Sequence, residues 1–130
     1  MTALLDRGYF VLIETSGSCN IHQVDSRVVI IMDIKCPSSG MEETVCWDNI
    51  KWLKPKDEVK FVIANRGDYD WAHGVMVAYP SLYQHTLLFS PVFGEMEARQ
   101  LAEWILADNL QVRLQLQAHK YIWAPDQRGV

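Results

Sequence analysis

The sequence predicts an α/β fold, a mainly parallel sheet built from β-α-β units. Three observations carry this. Short apolar runs, YFVLIET, RVVIIMDIK, EVKFVIA and LLFSP, recur along the chain and read as strands of a buried parallel sheet. Between them lie segments with helical spacing, clearest from Glu95 to Asp108, where Ala98, Leu101, Ala102 and Ile105 fall at i, i+3, i+4 and i+7. Strands that alternate with helices are joined by right-handed crossovers and pair in parallel.

In chain order, Thr2 to Arg7 closes a helix, with Gly8 as its stop. YFVLIET follows as a strand expected to be buried on both faces, and RVVIIMDIK repeats the pattern but ends in charge. The loop CPSSG leads to a short helical stretch around Trp47, Ile50 and Leu53, and EVKFVIA is the third strand. Asp68 is expected to cap a helix running through Tyr79, with Trp71, Val75 and Met76 on one side. LLFSP is the fourth strand, ended by Pro91. After the helix from Glu95 to Asp108, VRLQLQ is the fifth, with Val112, Leu114 and Leu116 alternating against Arg113, Gln115 and Gln117. The tail KYIWAPDQRGV has no regular pattern. Trp47, Trp52, Trp71 and Trp104 are expected to pack helices onto the sheet.

No linker, repeat or low-complexity stretch divides the chain, so residues 1–130 read as one domain. The opening is unusual: a helix end feeds straight into a buried-type strand, as though earlier units had been removed. The expected shape is the back half of a partial β/α barrel, with an open strand edge that favours self-association, for instance as a homodimer.

Composition limits the function classes. With 49% hydrophobic and 22% charged residues, the chain is an ordinary globular sequence. A net charge of −4 gives no basic surface for nucleic acid. No apolar run reaches the roughly 18 residues of a membrane span, and MTALLDRGYF lacks the build of a signal peptide. The cytoplasm is the expected compartment. Cys19, Cys36 and Cys46 form no close pair and no disulfide framework. Cys19 and His22 have a two-ligand spacing, but no second pair completes a metal site.

Ligands of parallel β/α sheets gather at the carboxyl ends of the strands. Here those ends carry Glu14, Thr15, Ser16 and Gly17; Asp33 and Lys35 before the Pro37–Gly40 turn; Asn65 and Arg66; Ser90 and Pro91; and Gln117, His119 and Lys120. Strand ends meet water in any fold, yet so many polar groups together suggest a polar binding mouth.

Taken in order, ETSG, DIKCPSSGMEE, DEVKFVI with DYDWA, LLFSPVFG, LAEWILAD and LQLQAHKYIW with RGV resemble the carboxyl-terminal half of the 7-carboxy-7-deazaguanine synthases. These are radical S-adenosylmethionine lyases of the queuosine pathway, and the resemblance spans essentially the whole chain. It implies a radical-enzyme barrel and the ring contraction of 6-carboxy-5,6,7,8-tetrahydropterin to 7-carboxy-7-deazaguanine, with S-adenosylmethionine, a 4Fe–4S cluster and Mg2+. It also implies that Asp33, Ile34 and Lys35, standing where the family has a Ser-Pro-Lys-like segment, contact S-adenosylmethionine. The change to Asp-Ile favours backbone contacts there. Glu14, His119 and the terminal carboxylate of Val130 would face the pterin. The family's Cys-x3-Cys-x2-Cys loop, its Gly-Gly-Glu-Pro strand end and its Mg2+ ligand belong to the front half, and none appears in these residues. Cluster iron is held by thiolates, so the isolated chain is expected to be inactive. Two other readings stand beside this one: a non-catalytic half-barrel that binds a ligand or partner, and an unrelated enzyme using Cys36 or His119.

Overall fold

The computed structural model describes residues 2–15, 21, 24–40 and 45–116. Its centre is an all-parallel sheet of five strands in the order β1-β2-β3-β4-β5. They are β1 (Leu12–Thr15), β2 (Val29–Ile34), β3 (Glu58–Ile63), β4 (Thr86–Pro91) and β5 (Arg113–Leu114). Helix α1 (Thr2–Asp6) precedes β1, α2 (Arg66–Ala78) joins β3 to β4, and α3 (Ala98–Ala107) joins β4 to β5. Short 3-10 turns at Pro37–Ser39, Trp47–Trp52 and Pro80–Gln84 occupy the connections. The α/β class read from the sequence holds. Strict sequential order is also the order that β/α barrels use.

The register sorts the side chains onto two faces, because alternate residues of a strand point oppositely. On one face Met32, Val59 and Leu87 line up across three strands, and Ile34, Phe61 and Phe89 form the next row. All six are buried, and they form one core with Tyr69, Ala72, Val75 and Met76 of α2 and Leu101 and Ile105 of α3. Phe89 makes edge-to-face contacts with Phe61 at 5.6 Å and with Tyr69 at 5.8 Å between ring centroids. This is the helix-covered face. The second face carries Glu14, Ile31, Asp33, Lys60, Val62 and Ser90, and most of the sheet's polar side chains.

The helix ends are held by side chains. The Tyr69 hydroxyl donates to the Trp104 carbonyl at 3.0 Å and to Asp108 Oδ2 at 2.6 Å, pinning α2 to α3. Gly8, at φ +85°, ends α1 as expected, its N–H donating to the Leu5 carbonyl. The buried Asp57 carboxylate accepts from the Ile30 N–H at 2.9 Å and the Lys54 N–H at 2.7 Å, tying the turn before β3 to the start of β2.

Several expectations are corrected. Asp68 does not cap α2: Asn65 does, its side chain accepting from the Asp68 N–H at 2.9 Å, which places Asp68 in the first turn. Both residue types form good caps, and the choice is made by two tertiary N–H donors that the Asp68 carboxylate accepts from, described below. β1 is not buried on both faces, since it lies at the sheet edge, where Phe10 is 76% and Leu12 48% exposed. Helix α3 begins at Ala98 rather than Glu95, because residues 93–95 turn instead. The fifth strand is shorter than VRLQLQ, and its alternation does not separate inside from outside, for Leu114 and Leu116 are exposed at the opposite edge. Trp47, Trp71 and Trp104 pack against the core, but Trp52 is 40% exposed, with the Lys51 ammonium over its ring.

Candidate functional site

Parallel pairing brings the carboxyl ends of the strands to one side of the sheet. There a cleft of about 160 Å³ opens between the loops that follow β2, β3 and β4. Lys35, Cys36, Ser38 and Ser39 line it from the first loop, Val62 from β3 and Ala64 from the loop after it, and Val92 and Glu95 from the third, with Asp68 of α2 between them.

Asp68 organises this cleft. Its carboxylate is buried and accepts the Ser38 N–H on Oδ1 and the Ala64 N–H on Oδ2, each at 2.9 Å. One side chain thus clamps the loop after β2 to the loop after β3. Asn65 Nδ2 adds a bond to Ser38 Oγ at 2.8 Å, and Ser39 Oγ donates back to the Cys36 carbonyl at 2.7 Å. Gly40, at φ +72°, closes the turn with its N–H on the Pro37 carbonyl, a conformation that a side chain would oppose. The negative carboxylate in the first turn of α2 also complements the helix dipole.

The predicted cofactor-binding residues come together at the end of β2, with different capacities. Asp33 lies on the second face, where Oδ2 accepts from Lys35 Nζ at 3.2 Å. Its Oδ1 is buried and has no hydrogen-bond partner among the described residues. Ile34 is fully buried in the core, so it can offer a ligand only its backbone. Lys35 lines the cleft and is a third exposed. From β4, Ser90 Oγ is likewise buried and without a partner among the described residues. An orphaned buried polar group is costly unless something supplies its bond, and two such atoms stand near the ends of β2 and β4, the strands on either side of β3.

Glu14, at the end of β1, is half exposed and accepts from Lys60 Nζ at 2.6 Å. His119 and Val130, the other expected substrate contacts, lie outside the described residues, as do Cys19, Ser16, Gly17, Gln117 and Lys120. Asn65 and Arg66 do not join the mouth as free groups. Asn65 is used as a cap, while the Arg66 guanidinium lies over Tyr69 and Trp104 and pairs with Asp70 at 3.1 Å.

Cys36 lines the cleft, but burial, with Asp68 and Asp33 adding to it, pushes its thiol well above the usual range. A thiol in this setting resists becoming the thiolate that nucleophilic attack or metal binding requires, which speaks against Cys36 as a nucleophile. Cys46 is half-buried elsewhere, and among the described residues no three His, Cys, Asp or Glu side chains gather as a metal site.

Sequence reasoning missed Asp68 as a clamp and Lys60 as the partner of Glu14. The alternation of Glu58 and Lys60 with Val59 and Phe61 signals one polar face on β3, which was the available clue to Lys60.

No family model matches the chain. Curated proteins do. The chain is 47% identical over its whole length to the 7-carboxy-7-deazaguanine synthase of Chlorobaculum tepidum, covering 60% of that protein. It is 40% identical, again over its whole length, to the enzyme of that name from Koribacter versatilis, covering 63% of it. A third relative of the same name, from Methanospirillum hungatei, is 36% identical over 94% of the chain and 50% of its own length. Across its whole length the chain is therefore related in sequence to the 7-carboxy-7-deazaguanine synthases, of which it spans about three-fifths in the first two cases.

Proposed function

We propose that these residues form the carboxyl-terminal part of a 7-carboxy-7-deazaguanine synthase, the back half of a radical S-adenosylmethionine barrel, and that the part is inactive alone. The observation that carries this is the polar mouth at the ends of β1, β2 and β4, in a chain whose whole length is related to synthases of that name. The proposed reaction is the conversion of 6-carboxy-5,6,7,8-tetrahydropterin to 7-carboxy-7-deazaguanine, and the proposed setting is the cytoplasm. Among the described residues, no helix is long and apolar enough to cross a membrane.

The residues fit S-adenosylmethionine. The orphaned Asp33 Oδ1 can accept a donor from it, the Ile34 backbone adds contacts without side-chain selectivity, and Lys35 brings a cation to the cleft. When bound, that cofactor supplies the radical that abstracts a hydrogen atom from substrate. The chain's own part is to bind and orient. Glu14 presents a carboxylate that can accept the paired donors of a pterin's amidine-like edge, and His119 and the Val130 carboxylate would complete the contact. The cleft of about 160 Å³ is smaller than the ~300–1,000 Å³ of typical small-molecule sites, so further walls come from other parts of the protein.

The described residues do not fit an iron–sulfur cluster. Cys36 is buried with its thiolate disfavoured, and no thiol cluster surrounds it. The proposal assigns the cluster and Mg2+ to groups other than the described residues. The same misfit favours one second reading, a non-catalytic half-barrel that keeps a ligand pocket. The exposed edge at Phe10 and Leu12 leads us to propose also that the 130-residue chain self-associates, and a strictly monomeric mass at micromolar concentration would count against that.

The deciding experiment compares this chain with the native polypeptide that contains it, both reconstituted anaerobically with iron and sulfide. The native polypeptide should retain a cluster and form 7-carboxy-7-deazaguanine, and the chain alone should do neither. Turnover by the chain alone would overturn its inactivity. Absence of product from a cluster-loaded native polypeptide would overturn the synthase reading in favour of the second.

A further inference from the structure

Glu14 and Lys60 make a contact that the fold does not require. Glu14 is level in register with Ile31 and, one strand on, with Glu58. Lys60 lies two residues beyond Glu58 on the same face, so its ammonium reaches back across β2 to meet the carboxylate at 2.6 Å. A nearer-strand carboxylate is present, since Asp33 is the register partner of Lys60. That group is served by Lys35 instead, and its second oxygen is left without a partner among the described residues. The exposures are also lopsided. The Lys60 side chain is 12% exposed and that of Glu14 54%, so a sheltered cation stands behind a carboxylate presented outward. An ion pair with one member half in water adds little to stability. What it supplies is direction, because one carboxylate oxygen anchored to a buried point leaves the other with a restricted set of positions.

We infer that Lys60 is a positioning residue, holding the Glu14 carboxylate in the orientation that reads an amidine-like edge on the substrate. The ligand class is a planar heterocycle with a ring N–H beside an exocyclic amine. This rests on the proposed pterin contact of Glu14 and adds the residue that makes it selective. Lys60 does not touch the substrate, and its whole effect passes through Glu14.

The test uses the native polypeptide and calorimetric titration with 6-carboxypterin and with 6-carboxylumazine, which has an oxygen in place of the exocyclic amine. The variants are Glu14→Gln, Lys60→Met, Lys60→Arg and the double variant Glu14→Gln/Lys60→Met. Wild type should prefer the pterin. Glu14→Gln and Lys60→Met should each weaken pterin binding by roughly tenfold, the scale of one charge-assisted contact, and leave lumazine binding unchanged. Lys60→Arg should restore most of the preference, and the double variant should bind no more weakly than Glu14→Gln alone. A Lys60→Met protein that keeps its preference, or a double variant in which the losses add, overturns the inference while leaving Glu14 in place. If Glu14→Gln binds pterin as wild type does, or if wild type binds neither compound, the proposed pterin contact fails and the inference falls with it.

Discussion

Replacing Asp68 by Ala should loosen the cleft and destabilise the chain more than any single surface change. The carboxylate is 1% exposed and takes two backbone N–H groups, from Ser38 and Ala64, that belong to different loops. Removing it leaves both donors without their acceptor, at about 1–3 kcal/mol each, the lower figure applying to Ser38 because that residue is reached by water. The sum is about 2–4 kcal/mol. Unfolding entropy of about 2.1 cal/mol/K per residue makes 1 kcal/mol worth about 4 °C at this chain length, so Tm should fall by roughly 8–15 °C. Thermal unfolding of the 130-residue chain, followed by far-ultraviolet circular dichroism, measures it. Arg99→Ala serves as the control, because the Arg99–Glu103 pair is exposed on both sides and should shift Tm by less than about 2 °C. Asp68→Asn should fall between the two, since its amide keeps one acceptor and turns a donor toward the other N–H. A drop below about 3 °C for Asp68→Ala, or one equal to the control, would refute the clamp.

Burial, and then the Asp108 carboxylate it donates to, push the Tyr69 hydroxyl above its ordinary range. The folded state keeps that proton to higher pH than the unfolded chain does. The resulting stability is complete below about pH 10, the unfolded value, and is lost as pH rises beyond it. Tyr69→Phe should cost about 1–2 kcal/mol at neutral pH and show a shallower fall in urea midpoint between pH 9 and 11; an unchanged slope would contradict this. Cys36 should resist alkylation at pH 8 until the chain unfolds, while half-buried Cys46 reacts in the native state. Equal labelling of the two, read by peptide mass, would show that the cleft admits the reagent and that the thiol is not suppressed.

The elements legible in the sequence are those whose signal is local. The apolar cores of RVVIIMDIK, EVKFVIA and LLFSP each became a paired strand, and Leu101 and Ile105 mark the buried stripe of α3. The polar groups read at the strand ends, Glu14, Asp33, Lys35 and Ser90, lie in or just after β1, β2 and β4 toward their carboxyl ends. What failed was decided at a distance. Asn65 and Asp68 are equally good caps by type, and Asp68 was drawn inward by two N–H groups of loops that no local pattern connects. Lys60 finds Glu14 across 46 positions of sequence, through a register visible only once the strands are paired. β1 and the end of β5 carry apolar residues as buried strands do, yet among the described residues no further strand lies beside either edge to cover them.

The sequential order of the sheet has a consequence for assembly. Among the described residues, each strand after β1 pairs with the one made just before it, and no later strand is inserted between two earlier ones. During synthesis each unit can dock as it emerges from the ribosome, without waiting for a distant segment or displacing one already laid down. For the same reason a sheet of this kind can be extended at an edge without any chain being threaded. A set of β-α units made as a separate polypeptide could thus be joined to this one by edge pairing alone, a route to complementation that an interleaved strand order would forbid.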